Sequence, residues 1–86
     1  MQIYNRLQLI RTERGMSQQQ LAVLIDVNAQ TVGFIERGDY FPSLELAFKM
    51  SEVFGVTVDQ LFSTTPFSSL FDTKKAQKTL RSYVEK

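Results

Sequence analysis

Residues 17–38 read SQQQLAVLIDVNAQTVGFIERG, and this stretch decides the fold. Ser17 is a candidate N-cap, and Gln20 three residues later completes a capping box, which is typical of a helix start. Asp26 tolerates a positive φ better than most residues, so it can form a tight turn. Asn28 is the candidate N-cap of a second helix. The stretch therefore predicts two short helices joined by a tight turn.

The apolar residues of this stretch assign one face of each helix to a core. Ala22 and Ile25 lie on one side of the first helix, and the small Ala22 suits the point where the helices cross. Val32 and Ile35 face back from the second helix, which we expect to end near Gly38. This arrangement leaves the other face of the second helix exposed, so that it can enter the major groove of duplex DNA.

The segment before this pair predicts a further helix. Ile3, Leu7 and Ile10 recur at helical spacing, which indicates an amphipathic helix of roughly three turns. Gly15 can adopt the left-handed conformation that ends a helix.

The segment after the pair predicts two more helices. Ser43 caps the first, whose apolar stripe starts at Leu44 and continues through Ala47, Met50 and Phe54. Thr57 caps a last short helix over residues 58–62. We also expect a short ribbon between residues 1–3 and the stretch after Phe62.

The whole of residues 3–62 resembles the repressor and Cro family of lambdoid phages, also called the Xre family. The capped helix pair, its ERG end and the later PSLELA and FGV pieces occur in the family's order, and the minimal bacterial members are especially similar. The resemblance implies an all-α, five-helix lambda-repressor-like DNA-binding domain at residues 1–62. We expect residues 63–86 to be a short C-terminal extension, made of a linker and a segment whose apolar residues recur at helical spacing. The family implies double-stranded operator DNA as a partner, usually bound by a homodimer.

The resemblance also assigns roles to individual residues, although the turn position that is commonly Gly in the family is Asp26 here. Two residues match a structural ion pair between the first and third helices, Arg11 and Glu36. Four occupy base-facing positions, Ala29, Gln30, Gly33 and Phe34. Five occupy positions that contact the DNA backbone, Gln18, Asn28, Thr31, Arg37 and Tyr40.

Two of the base-facing residues have a structural alternative. Gln30 is either a solvated helix residue or a reader of adenine, whose N6 and N7 its amide can contact in a bidentate manner. Phe34 is either a core residue or a hydrophobic contact to a thymine methyl, with Gly33 making room for close approach.

Other apolar residues have structural interpretations. Tyr40 and Phe41 follow the third helix, and we expect one to lie along the DNA backbone and the other to fill the core. Three more apolar side chains lie at positions where relatives are often polar. We expect them to be partly buried against Tyr4 or the tail, and we favour this over a surface that binds a partner. These three are Leu9, Val23 and Leu24.

Composition excludes several functions. The chain has neither Cys nor His, which removes disulfides, thiolate zinc sites and every catalytic arrangement built on His. We therefore expect no enzymatic activity, no cofactor and no metal. No signal peptide and no bilayer-spanning apolar run is recognisable, which favours a cytoplasmic protein without membrane contact.

Charge is unevenly distributed along the chain. Residues 1–62 carry five basic and seven acidic side chains, whereas residues 63–86 carry five basic and two acidic ones. The acidic body counts against charge-driven, non-specific DNA binding, but it permits a specific contact through a few concentrated phosphate ligands.

The tail requires its own explanation. Its apolar residues recur at helical spacing, which favours dimerisation, with packing on its own domain and contact with DNA as alternatives. These residues are Ala76, Leu80, Tyr83 and Val84. A different function class is an antitoxin that masks a toxin with its tail and autoregulates its operon.

Overall fold

The computed structural model describes residues 1–67 of the 86-residue chain, so that most of the predicted extension lies outside it. The prediction of a five-helix domain is confirmed. The helices are α1 (Leu7–Glu13), α2 (Gln18–Ile25), α3 (Ala29–Arg37), α4 (Leu44–Phe54) and α5 (Val58–Leu61). The strands β1 (Tyr4–Asn5) and β2 (Phe62–Ser63) form a two-stranded antiparallel ribbon.

Three predicted N-caps are confirmed by their hydrogen bonds. The Ser17 hydroxyl accepts from the Gln20 amide at 3.0 Å, and the Gln20 side chain accepts from the Ser17 amide at 2.8 Å. Asn28 Oδ1 accepts from the Thr31 amide at 2.8 Å, and Ser43 Oγ accepts from the Leu46 amide at 3.1 Å. Each bond satisfies a helix donor that has no partner within the helix. The starts of α2, α3 and α4 are therefore determined by residues close to them in the sequence.

The tight turn between α2 and α3 is also confirmed. Asp26 has φ 59° and ψ 50°, and within residues 1–67 it is the single non-glycine residue with a positive φ. The Val27 amide donates to the Ala22 carbonyl at 3.0 Å, which closes the end of α2. This turn sets the angle at which α3 leaves α2.

The core lies between the five helices, each of which contributes at least one buried residue. The α2 and α3 residues predicted to be buried are all 1% exposed or less. In α4, however, the predicted stripe is wrong at its first residue, because Leu44 is 71% exposed whereas Leu46 is buried. The buried hydrophobic residues are Leu7, Ile10, Leu21, Ala22, Ile25, Val32, Ile35, Leu46, Ala47, Met50, Phe54 and Leu61.

The prediction that Ile3 belongs to the first helix is wrong. This helix starts at Leu7, whose amide donates to Asn5 Oδ1 at 3.1 Å. Asn5 Nδ2 donates to the Ile35 carbonyl at 3.0 Å, so the residues before α1 are held against α3. Contacts distant in sequence therefore override the local helical spacing.

The expected ribbon forms, but its first strand is displaced along the chain. Tyr4 pairs with Ser63 and Asn5 with Phe62, whereas we expected residues 1–3 to pair. The predicted domain boundary between residues 62 and 63 therefore falls inside β2. Beyond β2, Phe67 still contacts the body, because the Arg6 guanidinium lies 4.2 Å from its ring centroid.

Several apolar residues are more exposed than expected. Leu9, Val23 and Leu24 are 55%, 68% and 57% exposed, so residues 1–67 do not supply the predicted partial burial, and burial against the tail lies outside the described residues. Tyr40 and Phe41 are 48% and 52% exposed, and neither fills the core. The core is already closed by the buried residues of α3 and α4.

The left-handed turn predicts an unusual order of stability at Asp26. The free energy of unfolding should be about 1 kcal/mol lower for Asp26→Ala than for Asp26→Gly, because a Cβ disfavours positive φ. Urea denaturation followed by circular dichroism measures the difference.

Asp59, in the first turn of α5 and with negative φ, is the matched control. There the order should reverse, with Ala more stable than Gly by up to about 1 kcal/mol. The same order at both positions would contradict the turn assignment.

Candidate nucleic-acid interface

A buried ion pair connects α1 to α3. Arg11 Nε lies 2.6 Å from Glu36 Oε2, and Arg11 Nη2 lies 3.3 Å from Glu36 Oε1. Their side chains are 10% and 4% exposed. Arg11 Nη1 also donates to the Met16 carbonyl at 2.8 Å. One guanidinium thus holds α3 and the loop before α2 in fixed positions relative to α1.

Gln18, the first residue of α2, extends this network. Its Nε2 donates to Glu36 Oε1 at 2.9 Å. The carboxylate of Glu36 therefore accepts from both Arg11 and Gln18, and every buried side-chain polar atom of the described residues has a partner. The resemblance predicted the ion pair but did not indicate that Gln18 joins it.

The predicted DNA-contacting residues of α3 lie largely on one exposed face. Gln30, Phe34 and Arg37 are all exposed, and Ala29 is half-buried. Six of the nine predicted DNA contacts line one open concavity of about 330 Å³. These six are Gln18, Ala29, Gln30, Gly33, Phe34 and Arg37. The structure thus places the start of α2 beside the outer face of α3.

Gly33 is buried in the floor of this concavity. A Cβ at this position would lie 3.3 Å from Arg37 Nη1 and 3.4 Å from Gln18 Nε2. The missing side chain therefore lets two polar groups, one from each helix, converge over the middle of α3.

The Arg37 side chain is restrained by two neighbours. Its Nε lies 3.2 Å from Asp39 Oδ2, and its Cζ lies 5.1 Å from the centroid of the Phe34 ring. Asp39 was not among the predicted site residues. An acidic residue two positions after Arg37 was the available signal in the sequence.

The other three predicted contacts surround the concavity. Thr31 Oγ1 lies 2.8 Å from Asn28 Oδ1, so these two side chains are bonded to each other at the start of α3. Tyr40 lies beyond the other end of α3 and is half exposed. Both ends of the exposed helix face therefore carry polar groups suited to phosphate contacts.

Two other features are absent from residues 1–67. No helix there has the length and apolar character needed to cross a bilayer. The same residues contain no group of three or more acidic side chains placed to hold a metal ion.

The fold and this surface define a DNA-binding protein of the helix-turn-helix class. A sequence model described as Helix-turn-helix matches residues 7–61, well over half of the chain. The chain belongs to this family, in its repressor and Cro (Xre) branch.

Individual proteins agree with this assignment. An uncharacterised HTH-type transcriptional regulator of Methanocaldococcus jannaschii is 41% identical over 58 residues, which are 67% of this chain and 88% of the relative. The restriction-modification controller protein C.AhdI of Aeromonas hydrophila has a TM-score of 0.60 at 33% identity, covering 64% of this chain and 83% of that protein. A transcriptional regulator of Listeria innocua shares the fold with a TM-score of 0.68 at 21% identity, covering 94% of this chain and 78% of that protein.

The buried ion pair predicts a large effect of one substitution. Arg11→Ala should lower the free energy of unfolding by about 3–5 kcal/mol, because it leaves the Glu36 carboxylate buried without its cation. Urea denaturation measures this loss.

Arg37→Ala is the matched control, since Arg37 and Asp39 are 59% and 61% exposed. An exposed pair contributes no more than about 1 kcal/mol. If both substitutions destabilise the protein equally, the Arg11–Glu36 pair does not fix α3.

Proposed function

We propose that this chain is a sequence-specific, homodimeric transcription regulator that places α3 in the major groove of a palindromic operator. The observation that carries the proposal is the exposed concavity on α3. It combines a polar side chain able to read bases, Gln30, with the start of α2 at Gln18. An α-helix presented in this way fits the width of the major groove.

The buried network supports specific rather than loose binding. Base readout requires side chains to be held at fixed positions, since a displaced donor cannot match the base edge. Glu36 holds α3 through Arg11 and holds Gln18 through a 2.9 Å hydrogen bond. The angle between α2 and α3 is thus set before DNA is bound.

A dimer would supply the required affinity. One module of this size offers a small interface with DNA, and two modules reading half-sites roughly 34–36 Å apart would double it. We assign dimerisation to residues 63–86, of which residues 68–86 lie outside the described part. Two alternative roles for residues 63–86 are packing on the domain of the same chain and contact with DNA.

We expect the regulator to repress transcription, and the antitoxin function is the alternative prediction. Repression follows if the operator overlaps a promoter, which a promoter-reporter assay in cells with and without the protein would measure. The antitoxin hypothesis depends on residues 68–86, which lie outside the described residues.

Selection of bound sequences from a random DNA pool tests the proposal. We expect a palindromic consensus, with binding that weakens as salt rises at a logarithmic slope near −0.9 per neutralised phosphate. Equal affinity for the selected operator and scrambled DNA at every salt concentration would refute specific recognition.

Within the same assay, Gln30→Ala should weaken operator binding by about 1–3 kcal/mol and relax one base pair per half-site. Tyr40→Phe is the matched control, because removing one hydroxyl donor to phosphate should weaken all sequences alike. Should Gln30→Ala leave the base preference intact, Gln30 is a solvated residue and not a reader.

Shortening the chain tests the dimer. Ser63 pairs with Tyr4 and Phe67 contacts Arg6, so the cut belongs after Phe67. The shortened protein should keep a helical circular dichroism spectrum, be monomeric in sedimentation equilibrium and lose most operator affinity. A shortened protein that stays dimeric would place the interface in residues 1–67.

A further inference from the structure

The head group of Arg37 lies over the middle of α3 rather than beyond its end. Side chains in an α-helix lean towards the N-terminus, so that residue 37 covers residue 33 one turn earlier. Arg37 Nη1 is 3.3 Å from the position that a Cβ of Gly33 would occupy. Gly33 leaves room for the guanidinium there, since a Cβ would push it aside by a few tenths of an ångström, and Arg37 lines the concavity that also contains Gln30.

Two neighbours orient the guanidinium within this concavity. Asp39 Oδ2 lies 3.2 Å from Arg37 Nε and occupies the Nε edge of the guanidinium. The Phe34 ring, 5.1 Å from Cζ, supports it from α3 itself. Among the described residues, neither Nη1 nor Nη2 has a hydrogen-bond partner. The two terminal nitrogens therefore remain available as a pair of donors.

The charge around Arg37 disfavours a phosphate as its partner. A phosphate ligand binds chiefly through net positive charge, and the adjacent carboxylate of Asp39 offsets that of Arg37. Asp39 is 61% exposed and would be repelled by a phosphate at the same place. A base edge carries no net charge, so reading it requires the donors but not the charge.

From these contacts we infer that Arg37 reads a guanine in each operator half-site, donating from Nη1 and Nη2 to O6 and N7. This role differs from the backbone contact that the family resemblance assigns to Arg37. Gly33 leaves space for the guanidinium over the middle of α3. The inference rests on the proposed operator binding and adds the identity of one base pair.

The test compares sequences selected from a random DNA pool by four full-length proteins. These are the wild type, Arg37→Ala, Gln30→Ala and Arg14→Ala. Arg14 is an exposed arginine on the C-cap of α1 and controls for the loss of one positive charge. We expect a guanine in each wild-type half-site, whose preference Arg37→Ala reduces by about 5- to 150-fold. Gln30→Ala should weaken the base preference at a different operator position, and Arg14→Ala should leave the base preference unchanged at every position.

Salt dependence separates the two roles of Arg37. As a base reader, Arg37→Ala should leave the logarithmic salt slope nearly unchanged, whereas loss of a phosphate contact would reduce it by about 0.9. Asp39→Ala should raise affinity for scrambled DNA and weaken the guanine preference, because the guanidinium loses its orientation. An unchanged guanine preference in Asp39→Ala would overturn the role of Asp39 as its support.

The outcomes distinguish this inference from the proposed function. A wild-type consensus that Arg37→Ala retains, with uniformly weaker binding and a smaller salt slope, overturns guanine reading but leaves operator binding intact. Absence of any wild-type consensus overturns both. Circular dichroism of Arg37→Ala should match the wild type, since the Arg37–Asp39 pair is exposed.

Discussion

The carboxylate of Glu36 is the point on which the arrangement of the first three helices depends. It is nearly inaccessible to water and accepts hydrogen bonds from Arg11 of α1 and Gln18 of α2. Arg11 also donates to the Met16 carbonyl in the loop between these helices. A buried charge is costly unless it is fully paired, so α3 cannot rotate about its axis without losing several kcal/mol. Its outer face is thereby fixed.

The same face of α3 contains a glycine in the middle of the helix. Gly33 costs about 1 kcal/mol of helix stability relative to Ala. Above it, the ends of Gln18 and Arg37 occupy space that a Cβ would approach to within 3.4 Å and 3.3 Å. The Phe34 ring and Asp39 then restrict the guanidinium. Side chains held before DNA arrives lose less conformational entropy on binding, which favours specificity.

The elements that could be predicted are those whose cause lies within a few residues. Ser17, Asn28 and Ser43 cap helices through bonds to residues three positions later, so the sequence alone indicated them. The prediction for the start of the chain was wrong for the opposite reason. Asn5 bonds to the Ile35 carbonyl, thirty residues away, and holds the chain in a ribbon where its local spacing favoured a helix.

The sequence by itself determined helices α2 to α5, three of their caps and the left-handed turn at Asp26, because these follow from short-range bonding and apolar periodicity. Only the tertiary structure decided how the outward side chains combine. Where Gln18 points depends on Glu36, to which its side chain donates from the start of α2. This bond joins residues eighteen positions apart and forms only when α2 and α3 pack together, so no local pattern records it.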